Sequence, residues 1–354
     1  RFLGTDHQVV RASHADIGRV FPDVIWHAEA PLLRTSPAPL FLLSRLVRQH
    51  QFKVVLTGEG ADEFLAGYDI FKEAKVRRFW ARQPGSRLRP LLFKRLYPWI
   101  AGFAGGGSAY LAAFFRDGLE DVTAKDYSHR PRWRTTARTR RFFSDDLNRS
   151  IAAAITPADQ APAYPPDFDG WEPLHQAQYL EITTFMSPYL LSSQGDRMTM
   201  ANAVEGRFPF LDHRVIDFCN RLPPRLKLRG LTEKYLLKQL SRRWLPEEIW
   251  QRPKRPFRAP IHRSFFNEAR LDWVEEMLAP ERIAAYGLFK PAAVRQLRAK
   301  VEAGGRLGET DDMALVGILS SQLIVDRFIS GLALSPPLDE RDDVRVCTEN
   351  RAAA

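Results

Sequence analysis

Cysteine is nearly absent from this 354-residue chain: Cys219 and Cys347 are too few for a disulfide framework, a cysteine zinc site or an iron–sulfur ligand set. The histidines show no short metal-ligand spacing, so no zinc site is expected. Long apolar runs are scarce as well. The one long uncharged stretch, residues 96–115, is interrupted by Pro98 and by Gly105-Gly106-Gly107-Ser108. Two short helices about a glycine turn are expected there rather than a membrane span. That glycine turn does not read as a phosphate loop, because no strand-like run precedes it. The opening Arg1-Phe2-Leu3-Gly4-Thr5 has no apolar signal core and no methionine, and the chain is expected to be a piece of a longer one. No repeat of solenoid or propeller period is found.

What is present is an ordinary globular mixture, 45% hydrophobic and 27% charged, able to bury a sizeable core. The length allows about two domains, or one α/β unit with a helical extension. Fifty-two Lys and Arg against 42 Asp and Glu leave a net charge of +10. That excess favours polyanionic or phosphate-bearing ligands and says nothing about fold. With so little cysteine, a cytoplasmic location is expected.

Periodicity divides the chain into an α/β beginning and a long helical remainder. Ser13 with Asp16 marks a helix start of capping-box type, with Ile17, Val20, Val24 and Ile25 as its apolar face. A second helix is expected over residues 39–50. Val54-Val55-Leu56 then reads as a strand buried on both faces of a parallel sheet, stopped by Gly58. Residues 71–80 and 87–100 look like basic amphipathic helices with solvated arginine faces. Residues 156–171 suggest a loop, and helices are expected over 171–191, 213–222, 232–244, 264–278 and 310–329. Thr310 with Asp311 and Asp312 suits the start of the last. Cys219, with Val215 and Phe218, reads as core, and the tryptophans, Trp80 and Trp244 among them, as helix packing. Residues 335–354 read as a flexible tail.

Three segments can carry chemistry. The first is Thr57-Gly58-Glu59-Gly60-Ala61-Asp62-Glu63, continuing to Gly67-Tyr68, where a strand empties into a glycine turn and a helix start. Open α/β sheets place ligands at such points, and the helix N–H groups can receive phosphate oxygens. It lacks the Gly-Lys-Ser/Thr ending of a Walker loop. Three carboxylates beside phosphate make sense if Mg²⁺ lies between, or if one polarises a reacting group. The same residues also fit a plain turn whose acids complement the helix dipole. The second segment runs from Asp196-Arg197 to Phe208-Pro209-Phe210-Leu211-Asp212, where Asp196, Arg197, Glu205 and Arg207 can form ion pairs under a site or a purely structural network. The third is basic: Glu233-Lys234 to Lys238, one helical turn apart at the lysines, then Arg252-Pro253-Lys254-Arg255-Pro256-Phe257-Arg258. Lysines there suit a leaving pyrophosphate, or a solvated surface.

Taken in order, the Thr57 to Tyr68 run, the Asp196 to Asp212 block, Glu233-Lys234 and Arg252-x-Lys254 before Phe257 resemble asparagine synthetase, from Leu3-Gly4-Thr5 to the final helix. The resemblance implies the synthetase part of a glutamine-hydrolysing enzyme with the adenine-nucleotide α-hydrolase (ATP pyrophosphatase) fold. That is an α/β parallel-sheet fold, incomplete at its N-terminus here and followed by a large helical part. It implies one unit over residues 1–334, with 1–68 the partial nucleotide-binding part and 69–334 mainly helical. It further implies that ATP activates the aspartate side chain as β-aspartyl-AMP with loss of Mg²⁺-pyrophosphate, and that ammonia then gives asparagine. By position, Thr57, Gly58 and Gly60 fall on the nucleotide-holding turn. Glu59 matches the glutamate of adenylate formation, Asp62 the Mg²⁺-pyrophosphate ligand, Lys254 the pyrophosphate-binding lysine, and Lys234 a second cation. The family's Ser-Gly-Gly-x-Asp-Ser loop and its N-terminal glutaminase domain, the source of ammonia, are absent from these residues. On their own they are expected neither to hydrolyse glutamine nor to make AMP at a useful rate. A homodimer is possible. Neither a nucleic-acid nor a membrane partner is expected.

The alternatives are an amidotransferase or cyclase relative that adenylates a different carboxylate, in secondary-metabolite or cell-surface synthesis, and a non-catalytic homologue. Arg34 and residues 208–212 are where an acceptor pocket would differ. A basic nucleic-acid-binding protein is disfavoured by the absence of any binding motif.

Overall fold

The computed structural model describes residues 2–97, 107–156, 162–304 and 307–331, with the backbone alone over 107–110. The glycine turn at 105–106, part of the 156–171 loop and the 335–354 tail lie outside the described residues.

The polypeptide is mostly helical around a small parallel sheet. Helix α1 (His14–Ala28) starts as its sequence dictates: the Ser13 hydroxyl accepts the Asp16 N–H at 3.1 Å, and the Asp16 carboxylate accepts the Ser13 N–H at 3.0 Å. Each satisfies a donor that a helix terminus otherwise leaves orphaned. Its face of Ile17, Val20, Val24 and Ile25 is buried in the largest core cluster. Helix α2 (Pro37–Gln49) packs on α1 and leads into β1 (Val54–Leu56). Strand β1 pairs in parallel with β2 (Glu205–Arg207), Val54 opposite Glu205 and Leu56 opposite Arg207.

Strand β1 is not the doubly buried strand its apolar run suggests. Val54 is 37% and Leu56 73% exposed. The cause is that β2 is its one strand neighbour among the described residues. The basic stretch after it departs in the opposite direction. In helix α4 (Asp69–Ala81), Lys72, Glu73 and Arg77 are buried rather than solvated. Each has partners that offset desolvation. Arg77 donates to the carbonyl oxygens of Phe115, Asp117, Gly118 and Tyr127 and stacks over the Tyr127 ring at 4.2 Å.

Other expected helices shift. The one expected over 232–244 is the shorter Tyr235–Ser241, because Lys234 takes a left-handed backbone, φ 48°, at its start. Residues 264–278 hold two helices, His262–Phe265 and Asp272–Met277, with an irregular connection between them. Pro173–Glu181 continues into a π-helical stretch, Ile182–Asp196, that contains Pro188. Gly308, rather than Thr310, caps the final helix, Glu309–Ile324. With its continuation to Ser330 that helix is long and apolar enough to cross a membrane, yet half of its apolar window is buried and its residues Leu315, Ile318 and Leu319 join the α1 core. Cys219 is buried as expected, whereas Phe218 and Trp244 are exposed.

Candidate active site

The turn after β1 is built by the sheet on one side and glycine on the other. The Thr57 N–H donates to the Arg207 carbonyl at 3.0 Å, which extends the β ladder by one bond. Gly60 has φ 92°, which favours glycine, and a Cβ there would lie 2.4 Å from the end of the Leu211 side chain, which would have to shift. The short helix α3 (Ala61–Phe64) follows, with Asp62 and Glu63 in its first turn.

These adjacent acids part company. Glu63 turns inward, is 1% exposed and accepts the Tyr68 hydroxyl at 2.7 Å. Burial raises its carboxyl above the usual range and raises the Tyr68 hydroxyl strongly. Asp62 turns outward onto two lysines from remote segments: Lys234 Nζ lies 3.0 Å from Oδ1 and Lys254 Nζ 2.8 Å from Oδ2. Lys254 also lies 5.4 Å over the Tyr68 ring. The carboxylate tolerates no bulk behind it, since a Cβ at Gly67 would sit 1.8 Å from Asp62 Oδ1.

Glu233 organises the lysine side. Oε1 accepts the Lys254 backbone N–H at 2.9 Å and Lys238 Nζ at 2.8 Å, and Oε2 accepts Lys72 Nζ at 3.3 Å. Burial pushes this carboxyl up, but its hydrogen bonds and the lysine charges outweigh that and hold it at about 2. Beneath α3, Gln178 donates to the Glu63 carbonyl and accepts from the buried Lys227 at 3.1 Å. Burial pushes the Lys227 amine down to about 8.

Asp62, Lys234 and Lys254 therefore meet directly. Thr57, Gly58, Glu59 and Gly60 share their loop, but Glu59 forms no ion pair with either lysine. The Glu59 Oε2 and Thr57 Oγ1 atoms are buried without a hydrogen-bond partner among the described residues, and no Cβ at Gly58 would meet an atom within 4 Å. Unsatisfied polar atoms beside open backbone are what a polar ligand would satisfy. In the second sequence block Asp196 has no ion-pair partner among the described residues, and the ion pairs that Arg197 and Arg207 form are at the surface. Arg197 pairs with Glu29 at 2.7 Å, and Glu205 with Arg207 at 2.8 Å on the exposed strand. Sequence reasoning missed the roles of Glu233, Tyr68, Gln178 and Lys227. Glu233 and Tyr68 carried a signal, as the acid set before Lys234 and as the end of the glycine-turn motif.

The family profile described as Asparagine synthase matches residues 1–326. The chain belongs to the asparagine synthase family. Among curated relatives, amidase chyE of Penicillium rubens is 28% identical over 302 residues, 81% of this chain and 44% of the relative. Asparagine synthetase [glutamine-hydrolyzing] 1 of Bacillus subtilis is 27% identical over 269 residues, 75% of this chain and 39% of the relative. A putative asparagine synthetase [glutamine-hydrolyzing] of Mycobacterium tuberculosis is 28% identical over 274 residues, 77% and 39% respectively. The chain thus spans about two fifths of the length of these curated relatives. The matched family region includes every residue of the turn and both lysines.

Proposed function

We propose that this chain carries the ATP-consuming half of an amide-forming ligase, in which a carboxylate is activated as its adenylate and pyrophosphate leaves. The observation that carries the reading is the Asp62–Lys234–Lys254 cluster at the exit of a parallel strand. In this reading residues 1–334 act as one synthetase unit, and aspartate is the first acid to test.

The donor set fits a metal that arrives with phosphate. Among the described residues no group of three or more Asp, Glu, His or Cys is placed to hold a cation unaided. Mg²⁺ is commonly held by one or two carboxylates with phosphate oxygens and water completing the shell, so Asp62 is a sufficient protein ligand. Bound there, Mg²⁺ would neutralise charge on the leaving pyrophosphate. Lys254 and Lys234 would exchange Asp62 for phosphate oxygens, and their two positive charges would stabilise the same leaving group. The Thr57–Gly58 backbone would hold the nucleotide, with the open side of Gly58 admitting it. Glu59, with its unsatisfied Oε2, would orient the acid for attack at the α-phosphorus. Ammonia would come from a glutaminase domain and displace AMP.

The relative named an amidase favours a second reading, in which the same adenylating residues serve a carboxylate other than aspartate. A panel of acids with Mg²⁺-ATP separates the two. AMP and pyrophosphate should form in equal amounts, with aspartate or with another acid, in a protein that includes these residues, and Glu59→Gln should abolish this. ATP cleavage to ADP, or AMP formation untouched by Glu59→Gln, would contradict the assignment.

A further inference from the structure

A second cleft, of about 360 Å³, opens between the turn ahead of α2, residues 257–263 and the first turn of the final helix. It is an open groove, with Phe257, Arg258, Arg263 and Glu309 exposed along it, and its volume admits a small organic molecule. Its charges do not balance. Arg34 donates to Glu309 at 3.0 Å and the His262 ring hydrogen-bonds with Asp312 at 2.9 Å, and three arginines, Arg34, Arg258 and Arg263, face these two carboxylates in the lining. The guanidinium groups of Arg258 and Arg263, which also line the cleft, have no hydrogen-bond or ion-pair partner among the described residues. Arg258 is nonetheless close enough to act on Glu309: burial pushes that carboxyl up, but Arg34 and then Arg258 hold it below its usual range. Phe257, Ile261 and Leu307 form an apolar wall, and Phe257 is 57% exposed.

The cleft adjoins the lysine pair through the chain itself. Arg258 lies four positions after Lys254, and a fully extended segment of that length reaches at most about 14 Å. A molecule with one end in the cleft and the other at Lys254 is of ordinary metabolite size.

We infer that this cleft seats the acid to be activated, and that the acid is larger than aspartate: an organic dianion whose second anionic group sits on Arg258 and Arg263 and whose apolar body lies against Phe257, Ile261 and Leu307. The inference rests on the ligase reading and deepens it by naming the substrate class. Fork-shaped guanidinium groups suit a carboxylate, and a net positive cleft disfavours a neutral or cationic ligand.

Calorimetric titration of the chain with aspartate and with N-benzoylaspartate tests it. N-benzoylaspartate should bind at least about tenfold more tightly than aspartate, and Arg258→Ala should weaken it about tenfold, the worth of one charge-assisted contact. Arg258 is exposed, so folding should survive its loss. Mg²⁺-pyrophosphate titrated separately should bind the same protein, and Arg258→Ala should change that binding less than about twofold. That last arm separates failure of the ligase reading, which would show in pyrophosphate binding alone, from failure of the cleft. No saturable binding of either acid, equal affinity for both, or indifference to Arg258→Ala would each overturn the inference.

Discussion

Two carboxylates in this molecule gather lysines, and they do so at different depths. Glu233 is 3% exposed and holds Lys72, Lys238 and the backbone of Lys254 at once. The Asp62 side chain is 16% exposed, and its lysines are 22% and 23% exposed. Burial decides what each cluster can do. A buried acid with several donors cannot release them without leaving uncompensated charge in a low-dielectric interior, so Glu233 fixes geometry. A partly wet pair exchanges partners at modest cost, because water screens the lysines while they change hands. One cluster positions the loop, and in the proposed reading the other trades a carboxylate for phosphate.

The largest expected effect breaks the buried cluster. Glu233→Ala leaves Lys238 without its carboxylate and the Lys254 N–H unsatisfied, and should cost about 3–5 kcal/mol in urea unfolding. In the wild type the Glu233 carboxyl is depressed from its ordinary 4.5 to about 2. Its contribution is therefore complete above pH 4.5 and lost as pH falls through about 2. A stability profile of Glu233→Gln parallel to the wild type across that window would show that the depth of this acid is irrelevant.

Lys227 gives the next largest effect, with the opposite sign. Burial lowers its amine from 10.5 to about 8, so the unfolded chain binds the proton more readily. Stability should climb between pH 8 and 10.5 by on the order of 2–3 kcal/mol, and Lys227→Met should flatten that climb. Chemical denaturation at pH 7.5 and 10 measures it.

The smallest effect sharpens the exposed cluster. Gly67→Ala drives a methyl group into the Asp62 carboxylate and should weaken Mg²⁺-pyrophosphate binding about tenfold, with less loss of stability than Glu233→Ala. Equal binding by Gly67→Ala and wild type would mean that the position of Asp62 is not what the ligand reads.

The same depth argument explains what the residues reveal in advance. Helix α1 was legible because its cap and apolar face are local patterns, and both occur as read. The meeting of Asp62 with Lys234 and Lys254 joins two segments that residue type and order single out, although their roles remain a proposal. The role of Glu233 was not legible, since it is to accept a backbone N–H 21 residues away, a contact that side-chain type does not announce. Nor does type tell Asp62 from Glu63, neighbours that face opposite ways. The apolar run Val54 to Leu56 misled on exposure because burial of a strand depends on its neighbours, and β1 has one among the described residues. Helix α4 misled in the other direction, because Arg77 finds its carbonyl partners on segments about 40 residues downstream.

The most direct test of the account is the affinity of Mg²⁺-pyrophosphate for the wild type and for Lys254→Met and Lys234→Met, by calorimetry at fixed ionic strength. Saturable binding that each substitution weakens at least about tenfold is the result the account predicts. Binding that neither substitution changes would mean that the lysines at Asp62 are a structural ion pair and that the site lies elsewhere.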